Sequence, residues 1–276
     1  MIKQNIFVLI ATVYDNANRL ELNNFPDSES VYYIISVQCR NDEQVKIIDC
    51  KFSSLRKDIK VYPHISLGLS LNRNFLLRKV GEVSLGLGIA IIADDDVMYN
   101  HHVFDRIRKA YVNNDADYIT FMIKTPDSEP REYKSYSKIN YQHTVFSLMK
   151  VSSIEITFNI KKVIDSGVIF DTRFGLGSGH IPKFEESIFL KDLKSKGLKG
   201  KFLREYIVTH PFESSGKVEG YQNLQQLEEK LCFFFRYFGA LGFLPGLFIL
   251  IKHYSVLKFG FRNLINAFLL GWRYKK

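Results

Sequence analysis

Four runs of nearly uninterrupted apolar residues set the frame of this chain. They are Ile6-Phe7-Val8-Leu9-Ile10-Ala11, Val31-Tyr32-Tyr33-Ile34-Ile35-Ser36-Val37, the stretch Ser84 to Ala93, and Tyr118-Ile119-Thr120-Phe121-Met122-Ile123. A strand with one wet face alternates apolar and polar residues, whereas a strand covered on both faces reads as a continuous apolar run. Between the runs lies room for helices, with a helical pattern from His102 to Val112. Covered strands alternating with helices imply an α/β fold with a mainly parallel central sheet flanked by helices. Such sheets bind ligands beyond the carboxyl ends of their strands, so the residues after each run are the ones to read for chemistry.

The third run ends abruptly in Asp94-Asp95-Asp96. Adjacent carboxylates repel one another unless a cation is shared. Mg²⁺ and Mn²⁺ take oxygen ligands, often one or two carboxylates plus substrate phosphates. If the strand continues, Asp94 and Asp96 face the same side. A solvated acidic turn is the competing reading, and the buried-looking strand before it counts against that. A second acidic feature, Glu185-Glu186, opens a helix expected from Phe184 to Lys194, with Gly197 as its stop. The helix dipole alone favours carboxylates there. The functional reading is a general base for an acceptor hydroxyl. The preceding Gly175, Gly177 and Gly179 lack dinucleotide-fingerprint spacing and read as a flexible substrate loop, with an ordinary turn as the alternative. His210, after a strand in Ile207-Val208-Thr209-His210-Pro211, is a structural histidine, a metal ligand or a diphosphate contact. In Gly68-Leu69-Ser70-Leu71-Asn72-Arg73-Asn74, Ser70 is placed to cap a helix and Arg73 to face phosphate. The polar segment 124–140, with two prolines, reads as a surface excursion that orders with substrate.

Taken in order, these pieces resemble glycosyltransferase family 2, in its bacterial surface-polysaccharide type. Ala11-Thr12-Val13-Tyr14-Asp15-Asn16-Ala17-Asn18-Arg19 is a looser version of the family's opening motif. Gly68, Ser70, Arg73 and Asn74 match its Gly-x-Ser-x-x-Arg-Asn helix start, and Asp94-Asp95-Asp96 its D-x-D motif. Phe174-Gly175 with Glu185-Glu186 match its acidic motif, and Thr209-His210-Pro211 is similar to bacterial members. The resemblance covers about residues 5–215. Three features depart from it: no proline precedes Thr12, the acidic pair is Glu-Glu rather than Glu-Asp, and Gly86 and Gly88 fall inside an expected strand.

The resemblance implies a GT-A (Rossmann-like) fold and an inverting transfer from a nucleotide sugar. UDP is the family's most frequent carrier, and the acceptor is a hydroxyl of a glycan or a lipid-linked molecule. Thr12, Tyr14, Arg19 and Asn41 would lie at the donor, with Asp94 and Asp95 beside them and Arg73 at the diphosphate. Mn²⁺ or Mg²⁺ would be held mainly through Asp96, helped by Asp94, with His210 in the metal or diphosphate shell. Glu186 would be the base, supported by Glu185. A sugar nucleotidyltransferase is the enzymatic rival. It carries a glycine-rich basic loop after its first strand, and Thr12 to Arg19 contains no glycine.

Composition shifts near residue 231 towards Phe and Leu, which divides the chain into a catalytic domain, 1–225, and a tail, 226–276. The longest uncharged stretch, Tyr237 to Ile251, has fifteen residues and is interrupted by Gly239, Gly242, Pro245 and Gly246. Spanning a bilayer takes about 20 apolar residues. Basic residues punctuate the tail from Lys252 to Lys276, as in helices lying on an anionic membrane. Packing onto the catalytic domain or an oligomer contact is the alternative. The net charge of +9 requires an anionic partner. A nucleic-acid binder would carry a basic stripe with exposed aromatics. Here the basic, aromatic sequence is C-terminal and hydrophobic, which favours membrane over nucleic acid. The intact acidic motifs argue against a non-catalytic membrane protein. Cys39, Cys50 and Cys232 form no metal or disulfide pattern and read as reduced thiols. The six-residue first run is too short for a signal-peptide core, so the expected location is the cytoplasmic face of the cell membrane.

Overall fold

The computed structural model describes residues 4–17, 20, 22, 25–99, 101–126, 128, 133–179, 181–211, 223–252 and 260–275. Arg19, expected at the donor, lies outside them. The chain divides into two compact units, Met1–Phe212 and Glu213–Lys276.

In the first unit the elements run in the order β1 (Ile6–Val13), α1 (Tyr14–Ala17), β2 (Val31–Cys39), α2 (Asp42–Lys51), β3 (Ile59–Ile65), α3 (Leu69–Ser84), β4 (Ile89–Ala93) and α4 (His101–Asn113). Then come β5 (Tyr118–Lys124), β6 (Tyr141–Gln142), α5 (Val145–Leu148), β7 (Ile156–Asn159), α6 (Ile160–Ser166), α7 (Glu185–Ser195) and β8 (Gly200–Thr209). The strands form one eight-stranded sheet in the order β3-β2-β1-β4-β7-β5-β8-β6. β1, β2, β3 and β4 pair in parallel, as do β5 and β8, while β7 and β6 run against their neighbours. The sheet is thus mainly parallel, as the apolar runs imply.

Both faces are covered. Ile6, Val8 and Ile10 of β1 join one hydrophobic cluster with Phe104 and Ile107 of α4. Phe7, Leu9 and Ala11 join another with Leu76, Leu77 and Val80 of α3 and Phe189 of α7. Alternate residues of a strand point to opposite faces, so a strand between two helical layers must be apolar at every position.

Three elements differ from the sequence reading. The third run is not strand from Ser84: α3 carries on through Ser84, and β4 starts only at Ile89. Gly86 and Gly88, at φ 75° and 110°, make the turn between them, and a Cβ at Gly88 would stand 2.7 Å from the Asn5 carbonyl oxygen. β3 and β7 have no counterpart among the apolar runs. β3 is an edge strand containing Lys60, Pro63 and His64, and edges are where a sheet tolerates proline. β7 is four residues wedged antiparallel between β4 and β5. The excursion after β5 is also anchored rather than loose from Tyr133 onward. Lys134 Nζ and the Tyr136 hydroxyl donate to the buried Glu155 carboxylate at 2.8 and 2.5 Å.

The second unit holds α8 (Leu224–Phe238), a 3-10 turn (Gly239–Gly242), α9 (Phe243–Lys252) and α10 (Phe261–Arg273). Leu224–Lys252 is the one helical stretch among the described residues that is long and apolar enough to cross a membrane by length and composition, with mean hydropathy 1.7. It is not straight. A Cβ on Gly246 would lie 2.6 Å from Leu231 Cδ2, whereas fifteen residues of continuous helix would separate the two by about 22 Å. The chain doubles back at Gly239, where φ is +62°, so α9 lies against α8. α10 closes on α8 through Gly271, whose added Cβ would meet Phe235 at 2.7 Å.

Candidate active site

The register of the sheet assembles the site. Ile10 of β1 pairs with Ala93 of β4, so Thr12 and Asp95 lie level just beyond. The buried Thr12 hydroxyl donates to Asp95 Oδ2, which also accepts from Asn16 Nδ2 at 3.0 Å. Met98 bridges Thr209 at the end of β8, and this brings Asp96 Oδ1 within 3.3 Å of His210 Nε2. Asp94 Oδ1 accepts from Arg73 Nη2 at 3.2 Å and Asp94 Oδ2 from Ser153 Oγ at 3.4 Å. The strand ends at Ala93, and the three carboxylates turn to three different partners. This replaces the expectation that Asp94 and Asp96 face one side of a continued strand.

Arg73 is the hub. It is 3% exposed, and its other fork nitrogen, Nη1, donates to Glu185 Oε1 at 2.8 Å. One buried guanidinium thus ties the acidic turn after β4 to the first turn of α7, with Phe170 below it at 5.7 Å. The sequence places Arg73 on a diphosphate; here both Nη groups hold carboxylates. The rest of its motif stitches α3 to the loop before α7. Ser70, expected as a cap, donates to the Phe174 carbonyl at 2.6 Å, and Leu69 N donates to Leu176 O at 2.8 Å. Asn74 exchanges two hydrogen bonds with the Phe170 backbone, at 2.9 and 2.7 Å. Glycine is required where these segments touch: Gly177 has φ 78°, and a Cβ there would sit 3.0 Å from Gly68 Cα.

α7 starts at a strained corner. Phe184 adopts φ 76°, a region that bulky side chains avoid, and offers no side-chain cap. Strain of this kind concentrates at functional sites. Next to it, Glu185 is buried on Arg73, while the buried Oε2 of Glu186 has no hydrogen-bond partner. Loss of solvation, then the Glu185 charge, push the Glu186 carboxyl up to about 8, with Arg73 pulling the other way. Desolvation also raises Asp94 against the pull of Arg73, although 37% of its side-chain surface stays exposed.

His210 has both ring nitrogens engaged, Nε2 by Asp96 and Nδ1 by the Pro211 carbonyl oxygen at 2.6 Å. The hydrogen bond to Asp96 raises the His210 pKa and lowers that of Asp96. Both ring nitrogens face oxygen atoms of the protein, so the structure places His210 as the partner of Asp96. Among the described residues, no group of three or more His, Cys, Asp or Glu side chains is arranged to hold a metal ion. Oxygen donors still fit a hard cation held partly by substrate phosphates. Asp96, with 61% of its side chain exposed, is the open carboxylate for it.

Tyr14 opens α1, half-buried at the rim. Asn41 is not brought to the cluster: its side chain caps α2 by accepting from Gln44 N at 2.9 Å. Asn41→Ala should therefore cost about 1 kcal/mol in a denaturation curve and leave the donor KM unchanged. A raised donor KM at unchanged stability would restore the base-binding role. Sequence reasoning missed Asn16, Ser153 and Tyr133, whose ring meets His210 edge-on at 5.7 Å. None has a motif of its own; each is set by its neighbour in space.

No family model matches the chain, and no curated protein matches it. Solved structures do. The chain is similar to TarS 1-349 of S. aureus with TM-score 0.63 and 14% identity, over 98% of this chain and 80% of that one. The same protein in complex with UDP-GlcNAc gives TM-score 0.61 and 14% identity, over 95% and 79%. Its complex with UDP gives 0.59 and 13%, over 95% and 80%. At this identity the likeness shows the fold, a glycosyltransferase fold of the GT-A type carrying a C-terminal apolar helical tail.

Proposed function

We propose that the protein transfers a sugar from a nucleoside diphosphate sugar, with UDP as carrier, to a hydroxyl of a glycan or lipid-linked acceptor in cell-surface polysaccharide synthesis. The observation that carries this reading is the Arg73 bridge. In a glycosyltransferase fold, one buried side chain joins the acidic turn at the strand ends to the helix start bearing Glu185 and Glu186. The UDP-GlcNAc and UDP complexes of TarS support the choice of donor.

In this reading the reaction is one displacement with inversion. Glu186 takes the acceptor proton as the acceptor oxygen bonds to the anomeric carbon. The bond from that carbon to the diphosphate oxygen breaks, and the nucleoside diphosphate leaves with the electron pair. Glu185, fixed by Arg73, holds the start of α7 in place. Asp96, with Asp94 beside it, is the residue that would hold Mn²⁺ or Mg²⁺, whose chemistry is to neutralise charge on the departing diphosphate. Thr12 and Asn16 keep Asp95 in place at the mouth of the site.

The test is release of UDP from a panel of UDP-sugars, with and without Mn²⁺ or Mg²⁺. Asp96→Ala and excess EDTA should each abolish turnover while the thermal transition of the protein is kept. Full turnover under both conditions would remove the metal role. Release of inorganic diphosphate from a nucleoside triphosphate and a sugar phosphate would instead identify a nucleotidyltransferase.

A further inference from the structure

The C-terminal helices have their amphipathicity inverted. On α9 the solvent face is Phe243, Leu244, Leu247, Phe248 and Ile251, between 39% and 69% exposed, while Gly246 and Ile249 turn inward. On α10 a stripe of Ile265, Leu269 and Trp272 is 44% to 58% exposed, with Ala267 buried behind it. The two helices are neighbours through Phe243 and Phe268, whose rings lie 5.3 Å apart. Apolar faces of this extent on a folded surface mark a docking site.

Charge identifies the occupant. From Lys230 to Lys276 the sequence has eight Lys and Arg and no Asp or Glu. The whole chain has 38 basic and 29 acidic residues, so residues 1–229 hold 30 and 29 and are nearly neutral. Eight of the nine net positive charges therefore sit on residues 230–276, the segment with the exposed apolar faces. A second copy would bring the same positive charge against it and is disfavoured. Exposed Lys252, Arg262, Arg273 and Lys275 lie at the ends of the two apolar stripes, where long basic side chains reach headgroups. Lys275 Nζ lies 4.1 Å from the centre of the Trp272 ring, pairing a cation with the side chain that favours the interfacial zone.

We infer that α9 and α10 dock the protein onto an anionic lipid surface, with their apolar faces in the interface and without crossing the bilayer. The fold-back at Gly239 divides the one stretch, among the described residues, that is long enough to span. The inference stands apart from the transferase reading, since it concerns the second unit alone.

The experiment is flotation of the full chain with vesicles of phosphatidylcholine, alone or mixed in equal parts with phosphatidylglycerol. The protein should float with the anionic vesicles and come off in high salt. Leu244→Asp with Phe248→Asp should weaken partitioning by about 100-fold or more. Arg262→Ala with Arg273→Ala should weaken it about 30-fold on anionic vesicles only. These positions are exposed, and circular dichroism checks that the variants stay folded. Equal binding to neutral and anionic vesicles, or unchanged binding by the Leu244/Phe248 variant, overturns the proposal. So does retention after alkaline carbonate, which would mean a spanning helix, or a solution dimer abolished by the same double substitution. UDP release by these variants in the absence of vesicles should equal that of the parent, which separates failure of docking from failure of catalysis.

Discussion

Replacing Arg73 with methionine should cost about 3–5 kcal/mol of stability, because it leaves a buried carboxylate without its partner. Glu185 is 6% exposed, and Arg73 Nη1 at 2.8 Å is the ion-pair partner of its carboxylate. A domain of ordinary stability has about 5–15 kcal/mol in total, so the loss should show as a large drop in the urea midpoint. Adding Glu185→Gln to the methionine variant should recover part of the loss, and the double-mutant cycle measures the coupling. Arg73→Lys keeps a charge but not the fork that reaches both Glu185 and Asp94, so it should fold better than the methionine variant yet remain poorly active. If the methionine variant were as stable as the parent and only its donor KM rose, Arg73 would return to the diphosphate role read from sequence.

The contrast at Arg73 shows what the sequence carries and what it does not. β1, β2, β4 and β5 are readable because a strand buried on both faces has to be apolar at nearly every position. β3 is hidden by Lys60, Pro63 and His64, which an edge position tolerates, and β7 by its length of four residues. The acidic turn and the Glu185-Glu186 pair announce themselves by composition. Their wiring does not. Arg73 meets Asp94 across 21 residues and Glu185 across 112, and no local pattern encodes such separations. A lone arginine at a helix start reads as an anion site because the helix end favours anions, whether the anion is a phosphate or a carboxylate of the protein itself. Asn41 is the same lesson in reverse: an asparagine after a strand is as good a helix cap as a base contact, and the Asp42–Lys51 helix uses it as the cap.

The Glu186→Gln variant should separate catalysis from stability in opposite directions. General-base catalysis contributes typically about 10²–10⁴-fold, so kcat should fall by that factor while UDP binding stays near that of the parent. The geometry favours Glu186 over Glu185 for this role because Glu185 is committed to Arg73, whereas Glu186 keeps a buried oxygen with no partner. In the free enzyme its carboxyl is raised to about 8, first by desolvation and then by the Glu185 charge. A base must be unprotonated, so kcat/KM should rise with pH up to about 8 and level off above it. The same shift works against the fold. A carboxyl whose folded pKa lies above its unfolded value stabilises only while protonated, and that contribution is lost between the unfolded value of about 4.5 and the folded value of about 8. Glutamine cannot ionise and should escape the loss. The variant should therefore melt higher than the parent above pH 8, by about 2–4 °C for each kcal/mol recovered, and close to it at pH 5. A pH-independent melting difference, or a variant that is fast and still shows the rise towards pH 8, would place the base elsewhere. If Glu185→Gln were instead the variant that folds normally and fails to transfer, the two glutamates would exchange roles.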